Sequence, residues 1–146
     1  MRMLPHLDLQ NWPYAWYGYW QEYGPDYAEY PSAKAFVDPT RTARYDLDPL
    51  LAYLRSGHAL LATSRANFPS PFTGRRTTGS LCYVTDGTRC WLDDLADYVQ
   101  EHHLAIPDAW YAAIEAQRFQ MPALTEEQLE RVSLPPTLQN PPATRV

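Results

Sequence analysis

The segment Trp12–Tyr30 holds nine tryptophan or tyrosine residues among its nineteen, whereas aromatic residues make up 14% of the whole chain. Such a density of large rings constrains the fold, because the protein must bury most of them. Trp12, Trp16 and Trp20 recur at every fourth position, which places them on one face of a helix. This spacing predicts a helix over residues 13–23, with its tryptophan face packed in the core as a structural anchor.

Most tyrosines of this segment lie off the tryptophan face and alternate with carboxylates. Tyrosine is enriched at protein interfaces because its ring is apolar while its hydroxyl is polar. We therefore expect an acidic, aromatic partner-binding surface, formed by Tyr14, Tyr17, Tyr19, Glu22, Tyr23, Asp26, Tyr27 and Glu29. An alternative use of the same rings is a sugar-stacking platform. Arg75 and Arg76, the single basic doublet of the chain, are secondary candidates for contact with a partner.

Charge limits the classes of partner that the chain could bind. The 146 residues carry a net charge of −5, with one lysine and eleven scattered arginines. Nucleic-acid-binding proteins instead cluster basic residues, so we expect no nucleic acid and a basic protein partner. No apolar run has the roughly 18–20 residues of a membrane span, and the N-terminus does not resemble a signal peptide. Two cysteines without an export signal indicate reduced thiols in the cytoplasm.

Secondary-structure signals predict a single α+β domain over residues 1–133, followed by a proline-rich extended tail, residues 134–146. A small antiparallel sheet is expected from the hairpin 80–91 and the apolar run 58–64. Three or four short helices should cover it, with the aromatic N-terminal segment packed on one side. The predicted helices span residues 49–56, 94–103 and 109–119, and Thr125 begins a short fourth helix with a capping box.

The predicted hairpin allows two registers, which differ in the placement of the cysteines. In the first, residues 86–87 form a two-residue turn, and the cysteines lie on opposite faces. In the second, residues 85–87 form a three-residue loop with Gly87 in a left-handed conformation, and Cys82 opposes Cys90. The position of Gly87 at the end of the loop favours the second register.

No known catalytic or metal-binding signature occurs in the chain. The two cysteines do not form a C-x-x-C pair with zinc-site spacing, and the pairs of carboxylates coincide with predicted helix starts. Phosphate-binding loops and the common hydrolase motifs are also missing. We therefore expect no metal, no cofactor and no enzymatic activity. A deep cleft that held a histidine beside a carboxylate would favour an enzyme instead.

Residues 85–110, TDGTRCWLDDLADYVQEHHLAIPDAW, resemble a family of small bacterial proteins whose function is unassigned. The family pattern is T-D-G-x-x-x-W-P-x-x-L-x-x-Y-V-x-x-H-x-x-x-x-P, and the chain has Leu92 in place of the first proline. FVDP at residues 36–39 and YLRSG at residues 53–57 extend the resemblance to about residues 34–110. Similar proteins often carry a C-x-x-C-G knuckle before the hairpin, and residues 70–74 lack both of its thiols. The resemblance implies an α+β fold but neither an activity nor a metal.

The small size, the acidic charge, the absent catalytic signature and the aromatic-acidic segment together indicate an interaction protein. The most specific expectation is a cytoplasmic immunity protein, which would bind a basic toxin domain of bacterial origin and block it by occlusion. The alternative is a small-ligand or carbohydrate-binding module that uses the N-terminal aromatic residues. A small enzyme of unrecognised type is the third interpretation.

Overall fold

A computed structural model of the chain describes residues 8–132 and the backbone of residues 144–145. The strands are β1 (His58–Ser64), β2 (Ser80–Thr85), β3 (Cys90–Leu92) and β4 (Thr144–Arg145). They form one sheet in the order β3-β2-β1-β4, in which all neighbours are antiparallel. The predicted α+β class is confirmed. The predicted extended tail lies outside the described residues, apart from the two residues of β4.

Five α-helices accompany the sheet in the described part of the chain: α1 (Pro39–Thr42), α2 (Leu47–Leu54), α3 (Leu95–His102), α4 (Asp108–Ala116) and α5 (Glu126–Glu130). The sequence predicted α2, α3 and α4 to within three residues at each end, and the capping box of Thr125 is present. The helix α1 is not among the helices predicted from the sequence. It forms because the Asp38 side chain accepts a hydrogen bond from Arg41 N at 3.1 Å, with Pro39 at the first helical position.

The described α-helices are at most nine residues long, which is the length of α4, and none could span a membrane. Four short 3-10 helices complete the described structure, over Gln21–Tyr23, Pro25–Tyr27, Ala33–Phe36 and Arg65–Asn67.

One face of the hairpin packs against helices. Val84 pairs with Trp91 across β2 and β3, so both side chains lie on this face. The Trp91 indole donates to Leu54 O at 2.8 Å, which ties β3 to the end of α2, and its ring lies 6.2 Å from that of Trp110 in α4. Gly57 approaches the same face so closely that an added Cβ would lie 2.7 Å from Val84 Cβ.

The N-terminal aromatic segment covers the opposite face of the hairpin. The ring of Tyr19 stacks on that of Tyr83 in β2 at 6.0 Å, and Phe68 meets Tyr83 edge-on at the same distance. Since both faces of the hairpin are covered, the residues of β3 are buried throughout.

The helix predicted over residues 13–23 is wrong, because residues 15–17 lie beside β3 and only Gln21–Tyr23 form a short 3-10 helix. Cys90 N donates to Ala15 O at 2.8 Å and Cys90 O accepts from Tyr17 N at 3.2 Å, so the segment adds to β3 in a parallel orientation. Gly18 has φ +99°, which is incompatible with a right-handed helix. Bulky aromatic residues favour such extended segments when both of their faces are buried.

Both predicted hairpin registers are wrong, because Thr85 pairs with Cys90 and the loop spans four residues, 86–89. The Asp86 side chain selects this loop, since its Oδ1 accepts from Thr88 N at 3.0 Å and from Arg89 N at 2.7 Å.

Gly87 has φ +96°, so its predicted left-handed conformation is confirmed within the longer loop. The observed register places Cys82 and Cys90 on opposite faces of the sheet, and both thiols are free. The expectation from the second register, that Cys82 lies opposite Cys90, is therefore wrong.

Candidate functional site

Three tyrosines of the predicted partner surface are buried inside the protein. Tyr17, Tyr19 and Tyr23 are 0%, 1% and 4% exposed, and burial raises the pKa of each hydroxyl well above its usual value. The Tyr17 hydroxyl donates to Ala105 O at 2.5 Å, and the Tyr19 hydroxyl lies 3.9 Å from Cys90 Sγ. These tyrosines are core residues, which corrects their assignment to a contact surface.

The remaining residues of that predicted surface are spread between structural and exposed positions. Glu22 is half-buried and holds the start of the 3-10 helix Ala33–Phe36, because its carboxylate accepts from the Ser32 hydroxyl and from Ala33 N at 3.1 Å. Asp26 is exposed. The other three are half-buried: Tyr14, Tyr27 and Glu29.

The tryptophans of this segment pack against neighbouring aromatic rings. Trp16 and Trp20 are buried, as predicted for structural anchors, whereas Trp12 is half-buried. Trp12 packs edge-on against Trp16 and Tyr17, with ring centroids 5.8 and 5.1 Å apart, and Tyr14 stacks on Trp16 at 4.5 Å. A sugar-binding platform needs open ring faces, and the buried Trp16 and Trp20 offer none.

A groove of about 610 Å³ opens between α1 and α4 on the surface of the protein. We call it the tyrosine groove, and its lining includes Asp38, Arg41, Tyr45, Asp108, Tyr111 and Glu115. On α4, Asp108, Tyr111 and Glu115 are spaced i, i+3 and i+7, so the helix presents all three on one face.

The centre of the tyrosine groove is a pair of stacked rings. Tyr45 and Tyr111 are half-buried, with ring centroids 4.4 Å apart and planes 18° from parallel. Backbone groups hold both hydroxyls, since Ile106 N donates to the Tyr45 hydroxyl at 3.1 Å and Asp46 N donates to that of Tyr111 at 2.8 Å. Burial raises the pKa of Tyr45 to about 12. The Tyr45 hydroxyl thus stays protonated at neutral pH, and the pair of rings is a fixed aromatic surface.

Charged side chains surround the stacked rings. The Arg41 guanidinium donates to Asp38 Oδ2 at 2.6 Å and to Asp108 Oδ1 at 3.0 Å, so it holds both carboxylates in place. The Arg41 backbone N–H and guanidinium lower the pKa of Asp38. Among residues 8–132, Glu115 and Arg44 form no ion pair and are available to a partner.

Sequence interpretation missed this groove for a physical reason. Tyr111 lies in the predicted helix 109–119, and the helical spacing of Asp108, Tyr111 and Glu115 is a local signal for the face that they share. Arg41 and Tyr45, which complete the groove, come more than sixty positions earlier, and no local pattern joins the two segments.

Two histidines and both cysteines have structural surroundings, whereas His102 lines a second cleft beside α3. His58 Nε2 lies 2.7 Å from Pro122 O, and His103 Nδ1 lies 3.2 Å from Thr42 Oγ1. Burial raises the pKa of Cys90 to about 12 and also raises that of Cys82, which keeps both thiols protonated and poorly nucleophilic. No three His, Cys, Asp or Glu side chains of the described chain lie close enough together to hold a metal ion.

The two predicted arginines have separate surroundings. Arg75 is exposed on the wall of a second cleft, beside α3, whose base contains Asp94. Arg76 is also exposed, and its guanidinium donates to Ala66 O within its own loop. The doublet therefore does not form one continuous basic surface.

Thr85, Asp86 and Gly87, the first residues of the segment 85–110, shape the hairpin loop through hydrogen bonds of the Thr85 and Asp86 side chains. No family model, curated protein or solved structure matches the chain. The resemblance of residues 85–110 to a bacterial family therefore stays a prediction, and function has to be inferred from the geometry of the surface.

Proposed function

We propose that the chain is an interaction protein of the immunity type, which binds a basic bacterial toxin domain through the tyrosine groove and blocks it by occlusion. The observation that carries this proposal is the stacked pair Tyr45 and Tyr111, fixed by backbone hydrogen bonds beside carboxylates. Tyrosine is over-represented among residues that dominate binding energy at interfaces.

Rigidity of the groove favours binding. A side chain that is already held in place loses little conformational entropy when a partner covers it. Tyr45 and Tyr111 are held by their hydroxyls and by each other, and Asp38 and Asp108 are held by Arg41. The surface is thus organised before the partner arrives.

Charge favours a basic partner over an acidic one. Three carboxylates and two guanidinium groups line the groove, so its formal charge is negative, and the whole chain carries −5. Complementary charge steers a basic domain toward this face and raises the association rate, with a strong dependence on salt.

The test uses candidate toxins encoded next to this protein's own gene, with dissociation constants measured by biolayer interferometry. Replacing Tyr111 by Ala removes one ring of the stacked pair, and we expect affinity to fall about 30-fold, the effect of a residue worth about 2 kcal/mol. The variant protein should also fail to restore growth of cells that express the toxin.

A matched pair of charge reversals separates the groove from the overall charge. Glu115→Lys places the new charge in the groove, whereas Glu130→Lys makes the same change on exposed α5. We expect Glu115→Lys to slow association about 10-fold at low salt and Glu130→Lys to have little effect. Equal loss in both variants, or none in either, would refute binding through this groove.

A further inference from the structure

A second cleft, of about 260 Å³, lies between α3 and the segment 65–77. Asp94 lines it and is 4% exposed. Among the described residues, its buried Oδ1 atom has no hydrogen-bond partner, and its Oδ2 atom lies 3.9 Å from Arg65 Nη1, which is too far for a hydrogen bond. The Tyr98 hydroxyl stabilises the charged carboxylate by hydrogen bonding, so one of the two oxygens remains without a described donor.

An unsatisfied buried carboxylate is costly to a folded protein, because the oxygen gives up its water without gaining another donor. Burial raises the pKa of Asp94 to about 6, while Arg65 and Tyr98 lower it. The group is therefore mostly ionised at neutral pH. The titratable and charged groups around it are Arg65, Tyr98, Asp93, Asp97 and Tyr23.

The walls of the cleft suit a flat cation. Phe68 and Tyr98 contribute aromatic rings, and Arg75, Glu101 and His102 lie around them. A guanidinium group is planar, carries five N–H donors, is weakly hydrated and stacks on aromatic faces. Three carboxylates line the cleft, those of Asp94, Asp97 and Glu101, against the two guanidinium groups of Arg65 and Arg75, so its charge favours a cation over an anion. The cleft is also smaller than the roughly 300–1,000 Å³ of sites for drug-sized ligands.

We propose that the Asp94 cleft binds a guanidinium group, with Asp94 Oδ1 accepting a hydrogen bond from the ligand and the aromatic walls flanking its plane. The guanidinium belongs either to a free small molecule or to an arginine side chain of another protein. This site is separate from the tyrosine groove, and it does not depend on the function proposed above.

The first experiment titrates the protein with methylguanidinium and follows backbone amides by NMR. We expect saturable shifts confined to residues 65–77 and 94–102, with a dissociation constant on the order of 1 mM for so small a ligand. Methylammonium has the same charge but neither the planar shape nor the five donors, and it should bind about 10-fold more weakly. Equal affinity for both, or shifts spread over the surface, would overturn the proposal.

Two further measurements link binding to the carboxylate. Asp94→Asn keeps the shape of the side chain but removes its charge, so binding should weaken at least about 10-fold. The matched control is Asp93→Asn, which changes the neighbouring carboxylate outside the cleft lining and should bind like the wild type. In the wild type, binding should also weaken about 10-fold near pH 5, one unit below the pKa of Asp94. Affinity independent of pH would contradict the assignment even if the Asp94 variant does not fold.

Free arginine and acetyl-arginine-methylamide distinguish the two sources of the guanidinium group. Tighter binding of free arginine and equal binding of both compounds each support the site. If free arginine and acetyl-arginine-methylamide bind equally, an arginine side chain of a protein fits the cleft. If free arginine binds more tightly and Arg75→Ala removes its advantage, the ligand is a small molecule whose carboxylate meets Arg75. Failure of every guanidinium compound would reject the site and leave the function of the tyrosine groove untouched.

Discussion

Asp86 should contribute more to stability than any ordinary surface aspartate. Its side chain is buried, with 2% of the residue exposed, and its Oδ2 accepts from the Tyr53 hydroxyl at 2.6 Å and from Arg89 Nε at 2.9 Å. Arg89 is itself 8% exposed, and its other described side-chain contact is Gln117 Oε1 at 3.4 Å. Removal of the carboxylate therefore leaves a buried guanidinium without its counterion.

The expected size of the effect follows from this burial. Breaking a buried ion pair on one side costs about 3–5 kcal/mol, because the remaining charge is uncompensated. In a protein of this length, a loss of 1 kcal/mol lowers the melting temperature by roughly 2–4 °C, so Asp86→Ala should melt about 10 °C lower. The loop also loses the acceptor of its Thr88 and Arg89 N–H groups.

Urea unfolding at neutral pH, with thermal melts alongside, measures this loss. Asp26→Ala is the matched control at an exposed aspartate and should change stability by no more than about 0.5 kcal/mol. Adding Arg89→Met to Asp86→Ala removes the stranded charge and should recover much of the stability. A loss below about 1 kcal/mol for Asp86→Ala would refute the buried network.

Three further predictions concern packing and pH. Gly57→Ala would place a Cβ 2.7 Å from both Cβ and Cγ2 of Val84, which should lower the free energy of unfolding by about 1–3 kcal/mol. In a Val84→Ala background, which lacks Cγ2 but keeps Cβ, the same substitution should lower the melting temperature by less. Since burial raises the pKa of Tyr17, Tyr19 and Tyr23, the folded protein keeps protons there that the unfolded chain loses above about pH 10. Urea unfolding should therefore show stability falling as pH rises beyond this value. The raised pKa of Asp94, about 6, makes its ionisation costly in the folded state. The free energy of unfolding of Asp94→Asn should therefore rise relative to that of the wild type between about pH 4 and 6, by about 3 kcal/mol at most. Identical pH profiles would contradict the burial of Asp94.

The aromatic segment shows what a local pattern can and cannot predict. Its ring density correctly indicated burial of Trp16 and Trp20. The spacing of four residues between the tryptophans failed to predict the conformation of the segment. Aromatic residues would lie on several faces of a helix here, so their periodicity does not distinguish a helix from an extended chain. The deciding contacts are the hydrogen bonds to Cys90, more than seventy positions later, together with the positive φ of Gly18.

The hairpin and the groove show the same limit in two other ways. Residues 85–87 correctly indicated a turn, but the loop length depends on side-chain hydrogen bonds of Asp86 that two-residue and three-residue turn rules do not include. The sequence of α4 alone indicates the helical face that carries Tyr111. The stacking of Tyr111 on Tyr45 depends instead on how the segment after α1 packs against α4.

The central claim is that a basic protein partner covers the tyrosine groove. Hydrogen exchange of the backbone amides, measured by mass spectrometry on the free protein and on its complex with the toxin, tests this directly. We predict slower exchange in the complex over residues 39–46 and 108–116, with the control segment 126–130 unchanged. Protection confined to residues 12–30, with α1 and α4 unaffected, would contradict the groove and return the contact surface to the N-terminal segment.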